Sequence, residues 1–299
     1  MADPITQATI TQATITHTTI ASNGINLHVA QAGPADGPLV ILLHGFPEYW
    51  AGWRQQLPAL AAAGYRVWVP DQRGYNLSDK PAGIAAYNLD QLALDVVGLI
   101  DAAGAEKALV VGHDWGAVVA WWLGIKHAHR LEKLAILNVP HPSVLRRRLR
   151  THFSQLRKSW YIFFFQLPWL PERQLSQNGG ERFARGIQAG SPPGAFSEDD
   201  VQGYLAAWAQ PGAWTGMINW YRALFQKPPA RAASNRVTVP LRIIWGKRDA
   251  VLEWEMAEDS LGLCDRGELV FIDEAAHFVQ HDAPERVNEL LLDWFQQNT

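Results

Sequence analysis

Ala108-Leu109-Val110-Val111-Gly112-His113-Asp114-Trp115-Gly116-Ala117 decides the reading of this chain. Ala108–Val111 is a short, wholly apolar run, as a strand covered on both faces requires. From Ala117 to His127 the apolar spacing becomes helical. Between the two, Gly112 and Gly116 remove Cβ atoms where a tight strand-to-helix turn crowds its neighbours. Asp114 is thereby raised at the carboxyl end of its strand, where open α/β sheets place their ligands. The five residues Gly112–Gly116 alone would equally suit a glycine-flanked turn with a capping Asp. The strand before them and the helix after them favour a nucleophile elbow.

Outward from this point the same alternation recurs. Apolar runs stand at Leu39–Leu43, Arg66–Pro70, Leu134–Leu137, Leu241–Trp245 and Leu269–Ile272, and Ile25–Gln31 alternates as a half-buried strand. Helical patterns fall at Trp53–Ala63, Leu89–Ala103 and Pro284–Gln297. Strands alternating with helices predict a mostly parallel, doubly wound α/β sheet with right-handed crossovers. The rhythm breaks between Pro140 and about Val237, where aromatic and helical segments replace buried strands. This predicts a helical cap inserted at 140–237 into one core domain made of 16–139 and 238–299. The five-residue repeat over 5–19 fits neither strand nor helix period, so 1–15 reads as a flexible tail whose end runs into the first strand.

Composition bounds the rest. The chain has 299 residues, 48% hydrophobic and 18% charged, with a net charge of −3, so its total charge drives it onto neither nucleic acid nor an anionic membrane. Arg146, Arg147, Arg148 and Arg150 read as a solvated helix face. The single cysteine, Cys264, has no internal partner, no apolar run reaches membrane-span length, and residues 1–20 lack the pattern of a secretory signal. A cytoplasmic location is expected, and monomer and homodimer are both open. The fourteen tryptophans suit either an aromatic core or an apolar pocket.

The chemistry rests on three strand ends. His44-Gly45-Phe46-Pro47 follows an earlier strand, and the backbone N–H groups of Phe46 and Trp115 are expected to share one oxyanion. Asp249 follows the strand Leu241–Trp245, and His277 lies on the loop after the last strand. Nucleophile, acid and histidine thus come in the order this architecture uses. His281 is the nearest rival to His277, whereas His17, His127, His129 and His152 fall in the tail or on helices. The alternative acid position, after Leu134–Leu137, holds Asn138, which carries no charge.

A carboxylate at the elbow changes the reaction. Serine attacking a saturated carbon would leave an ether, whereas a carboxylate leaves an ester that a His–Asp pair can hydrolyse. Asp114 as nucleophile, His277 as base and Asp249 as its orienting acid therefore point to displacement at an sp³ carbon, with an epoxide oxygen or a halide leaving.

HGFPEYWAGWR (44–54), DQRGYNLSDKP (71–81), GHDWGA (112–117) and LNVPHP (137–142) strongly resemble the soluble epoxide hydrolases of the α/β-hydrolase superfamily, a similarity running from about His17 to the C-terminus. The resemblance implies an eight-stranded α/β-hydrolase sheet flanked by helices. It also implies two cap tyrosines, Tyr161 and Tyr221, that bind and protonate the epoxide oxygen. Tyr204 also lies in the cap, so the choice of Tyr161 and Tyr221 rests on the resemblance. The physics agrees, because an alkoxide needs a proton from a phenol of pKa about 10 whereas a halide needs only N–H donors. Phe46, Trp115, Tyr161 and Tyr221 are expected to wall the substrate site. The partners so implied are a small epoxide and water, without nucleic acid or membrane and without metal or organic cofactor. A haloalkane dehalogenase using the same triad is the alternative, and a hydrolase-like receptor without catalysis the more distant one. Glu48 is open between orienting the hydrolytic water and facing solvent as a loop residue. Asp71 and Arg73 are expected to stabilise their loop.

Overall fold

The computed structural model describes residues 14–297. Its sheet has eight strands: β1 (Thr16–Ser22), β2 (Ile25–Ala32), β3 (Leu39–Leu43), β4 (Arg66–Pro70), β5 (Ala108–His113), β6 (Leu131–Leu137), β7 (Leu241–Gly246) and β8 (Gly267–Ile272). Their order is β1-β2-β4-β3-β5-β6-β7-β8. β2 runs antiparallel to both β1 and β4, and every pairing from β4 across to β8 is parallel. Asn23 and Gly24, both at positive φ, close the β1–β2 hairpin, as a two-residue turn matched to strand twist requires.

Why the central strands are apolar without interruption follows from their two faces. Along β3, Leu39, Ile41 and Leu43 enter one core while Val40 and Leu42 enter the other. The first core packs against α2 (Leu89–Ala102) and α3 (Trp115–Lys126). The second packs against α1 (Gln56–Ala62) and the last helix, through Leu57, Leu60, Leu291 and Trp294.

Between β6 and β7 the described chain is helical: α4 (Pro142–Thr151), α5 (Phe153–Lys158), α6 (Trp160–Phe164), α7 (Leu170–Leu175), α8 (Glu181–Gly190), α9 (Glu198–Trp208) and α10 (Ala213–Gln226). α11 (Glu255–Leu261), α12 (Val279–Asp282) and α13 (Pro284–Gln296) complete the fold. The inserted helices are fastened to loops at the strand carboxyl ends. Trp208 donates its indole N–H to the Pro47 carbonyl at 2.6 Å, Trp220 does the same to Arg73 at 2.9 Å, and Arg54 pairs with Asp200 on α9 at 2.7 Å. Among the described residues no helix is long and apolar enough to cross a membrane.

The tail and His17 depart from expectation, while Asp71 and Arg73 brace their loop. Residues 1–13 of the expected tail lie outside the described residues, and Ile15 packs against the second core instead of trailing. His17 is in neither tail nor helix: it sits on β1, its ring stacked on His28 at 5.1 Å. Asp71 and Arg73 are fully engaged in structure. Asp71 accepts from the Trp50 N–H and pairs with His28, and Arg73 grips Asp95 through two nitrogens at 2.6 and 2.8 Å.

Glycine crowding at the elbow gives a stability test. A Cβ on Gly116 would lie 2.1 Å from the Leu43 carbonyl oxygen, whereas one on Gly186 in α8 would meet nothing within 4 Å. Gly116→Ala is expected to cost about 3 kcal/mol or more in urea unfolding, and Gly186→Ala to add about 0.5–1 kcal/mol. Equal effects would contradict the crowding.

Candidate active site

The chain leaves β3, turns to β4 on one side, and later places β5 on the other side of β3. The carboxyl ends of β3 and β5 therefore flank the point where strand order reverses, the usual place for a ligand crevice. Phe46 follows β3 and Asp114 follows β5, so the two meet there. Asp114 has φ 47° and ψ −120°, a backbone conformation unusual for a side-chain-bearing residue. It is held by lack of space: a Cβ on Gly112 would lie 2.4 Å from the Gly116 carbonyl oxygen, and one on Gly45 would lie 2.4 Å from Asp114 Cβ.

The two carboxylate oxygens of Asp114 have different surroundings. Oδ1 accepts the Phe46 N–H at 2.7 Å. Oδ2 stands 3.6 Å from His277 Nε2, a charge contact longer than a hydrogen bond. The Trp115 N–H is the first of α3, where an amide has no intrahelical partner. On its other side His277 Nδ1 lies 2.8 Å from Asp249 Oδ2. Asp249 is saturated: its Oδ1 accepts from Val251 and Leu252 N–H at 2.7 and 2.9 Å, and its Oδ2 also accepts from Asn138.

Burial pushes the Asp114 carboxyl up, but the neighbouring His277, more weakly His113 and the Phe46 N–H outweigh it and hold the group below its ordinary range. For His277, burial disfavours the charged ring, yet the two flanking carboxylates raise it well above the usual imidazole value. Asp249 is likewise held below the ordinary range against its burial, by the His277 charge and its hydrogen bonds.

Asp114 and Trp115 open onto a cavity of about 1050 Å³ whose wall includes Tyr161, Tyr221, Val118 and Trp122. Tyr221 is buried and Tyr161 half-buried, and desolvation beside Asp114 raises both above the ordinary tyrosine value, so they remain protonated. Their ring centroids are 5.9 Å apart, edge to face. Tyr204 points elsewhere, its hydroxyl 3.3 Å from Glu48. Among the described residues no group of three or more His, Cys, Asp or Glu side chains is placed to hold a metal ion.

Residues 38–284 match the family described as the alpha/beta hydrolase fold. The chain belongs to the α/β-hydrolase family. It is 48% identical to the AB hydrolase superfamily protein YfhM of Bacillus subtilis, over 92% of this chain and 96% of that one. It is 36% identical to epoxide hydrolase 4 of Homo sapiens, over 93% of this chain and 77% of the relative. With epoxide hydrolase A of Mycobacterium tuberculosis it shares 34%, over 91% and 95%. Among solved structures, a variant of an epoxide hydrolase from Bacillus megaterium superposes with a TM-score of 0.86 at 29% identity, over 94% of this chain and all of that one.

Phe46 brings its backbone to Asp114 and packs its half-buried ring against Tyr221 and Phe165 at 5.3 and 5.5 Å. The hydrolase site adds to the sequence reading at two residues. Glu48 does not face solvent. It is 1% exposed and bridges His113 at 2.9 Å and His281 at 2.8 Å, and these hydrogen bonds carry its carboxyl well below the ordinary range despite burial. His281, the rival base, is thereby occupied away from Asp114. Asn138, set aside because it is uncharged, ties three loops: its amide N–H groups reach Asp249 at 2.8 Å and Ala276 O at 3.1 Å, and its oxygen accepts from Gly246 N–H. Its position after β6, beside the β7 end, was legible; the link was not, since it crosses more than a hundred residues.

The charge pairing sets a titration. His277, raised when folded, contributes stability below its unfolded pKa of about 6.5 and loses it as pH rises through the folded value. Asp114, depressed when folded, contributes above the ordinary carboxylate range and loses it as pH falls through its folded value. The charged pair therefore exists between the two. Asp114→Asn removes one carboxylate from beside the ring, so His277 is expected to titrate at lower pH in imidazole NMR. An unchanged His277 titration would show that Asp114 does not hold the charge.

Proposed function

We propose that this hydrolase opens epoxides to vicinal diols through an ester on Asp114. The observation that carries the reading is the pair of protonated phenols, Tyr161 and Tyr221, sharing one cavity with Asp114. The names of the epoxide hydrolase relatives support it.

In the first step Asp114 Oδ2, the oxygen without a short hydrogen bond, attacks a ring carbon, and the C–O bond of the epoxide breaks. The electron pair goes to the leaving oxygen, which takes a proton from one of the two phenols. Oδ1 becomes the ester carbonyl and keeps the Phe46 N–H it already accepts. Esterification removes the Asp114 charge, one of the influences holding His277 protonated. Its proton passes to the phenolate left by ring opening, and the neutral imidazole, still oriented by Asp249, then takes a proton from water. The hydroxide attacks the ester carbonyl carbon, and the Phe46 and Trp115 amides face the resulting oxyanion. Collapse breaks the ester C–O bond, and the departing alkoxide takes the proton of the new carboxyl group, which frees the diol and restores the Asp114 carboxylate beside a protonated His277. The sum is epoxide plus water. A halide would leave without a proton and make no use of the two phenols, which is why the dehalogenase reading ranks second.

Three results are expected. One turnover in heavy-oxygen water should give unlabelled diol and labelled Asp114, since the new diol oxygen comes from the carboxylate; label in that first diol would exclude the ester. His277→Gln should accumulate protein heavier by one epoxide in mass spectrometry. Tyr221→Phe should slow ring opening roughly 100-fold or more, and halide release from 1-haloalkanes without any epoxide turnover would replace this reading with the alternative.

A further inference from the structure

The run α5 to α6 is amphipathic in the inverse sense. Gln155, Ser159 and Ile162 face inward and are buried, while Phe153, Leu156, Trp160 and Phe163 stand outward at spacings of three, four and three. Phe153 is 78% exposed and Trp160 62% exposed, values that a large apolar side chain seldom shows without a partner. Trp169 extends the exposed apolar surface beyond α6, and Phe225 at the end of α10 touches Phe163 with ring centroids 6.0 Å apart. Phe225 also lines the mouth of the active-site cavity, so the apolar surface runs to the entrance.

Charge says what covers this face. From Pro142 to Pro171 the sequence carries six Arg and Lys residues and no Asp or Glu, in a chain whose total is −3. Arg147 and Arg148 are paired, to Asp259 and Glu253. Among the described residues Arg146, Arg150, Arg157 and Lys158 have no ion-pair partner, and Arg146 sits at the cavity mouth. A second copy docked on this face would set those cations against their own duplicates. Aromatic and leucine side chains on a surface ringed by Arg and Lys match the interface of an anionic bilayer.

We infer that the α5–α6 face is a peripheral docking surface for anionic phospholipid membranes, which turns the cavity mouth toward the lipid. The net charge argues against such a surface; its distribution argues for it. The inference rests on surface chemistry alone and stands apart from the reaction proposed above.

The test is cosedimentation of the full chain with vesicles of phosphatidylcholine alone and of phosphatidylcholine mixed with phosphatidylglycerol. Binding is expected to the mixed vesicles only and to weaken at high salt. Arg150→Ala/Arg157→Ala should weaken it on the order of 30-fold, and Phe153→Ser/Trp160→Ser at least as much, with thermal melts like the parent's. No binding to either vesicle, or binding that ignores salt and both double variants, overturns the proposal. So does a dimer, seen by light scattering, that the same variants dissociate while vesicles bind nothing.

Discussion

The hydrogen bond from Phe46 N–H to Asp114 Oδ1, 2.7 Å long, joins the loop after β3 to the turn after β5. It forms only because three glycines leave room. With a Cβ on Gly45, Gly112 or Gly116, the turn, the carboxylate and the preceding loop would overlap. Close packing at this point fixes the direction of one carboxylate, and the cavity, the imidazole and the inserted helices are arranged about it.

Electrostatics supply the second layer. A histidine between two carboxylates is held well above the usual imidazole range, and neutralising one of those carboxylates loosens its proton. The charge on Asp114 thus governs the proton on His277. That coupling would fail if Asp249 wandered, and Asn138 prevents it by binding the ends of β6 and β7 and the loop after β8 together. Beneath the site, Glu48 holds His113, whose other nitrogen is 2.8 Å from the His277 carbonyl oxygen, so the backbone carrying His277 is also braced. A buried carboxylate with two imidazole partners satisfies the rule that buried charge must be paired.

The helices between β6 and β7 link the site to the surface. Their inner faces supply Tyr161 and Tyr221 to the cavity, and indole N–H bonds to Pro47 and Arg73 fasten them to the loops below. Their outer face carries an apolar stripe among cations that have no ion-pair partner among the described residues. One short segment, Trp160–Phe164, therefore meets the cavity beside Asp114 on one side and the surroundings on the other.

Much of this was readable in the chain. Five-residue apolar runs, glycines around Asp114 and the order Asp114, Asp249, His277 determined the sheet, the elbow and the three charged groups, because strand burial and turn crowding act over a few residues. Tertiary structure decided what depended on distant neighbours: that Glu48 is buried between two imidazoles, that Asn138 clamps Asp249, that the Phe46 ring packs against Tyr221, and that Phe153 and Trp160 point outward. A side chain's partners across a fold are set by which elements pack together, and local periodicity holds no record of that choice.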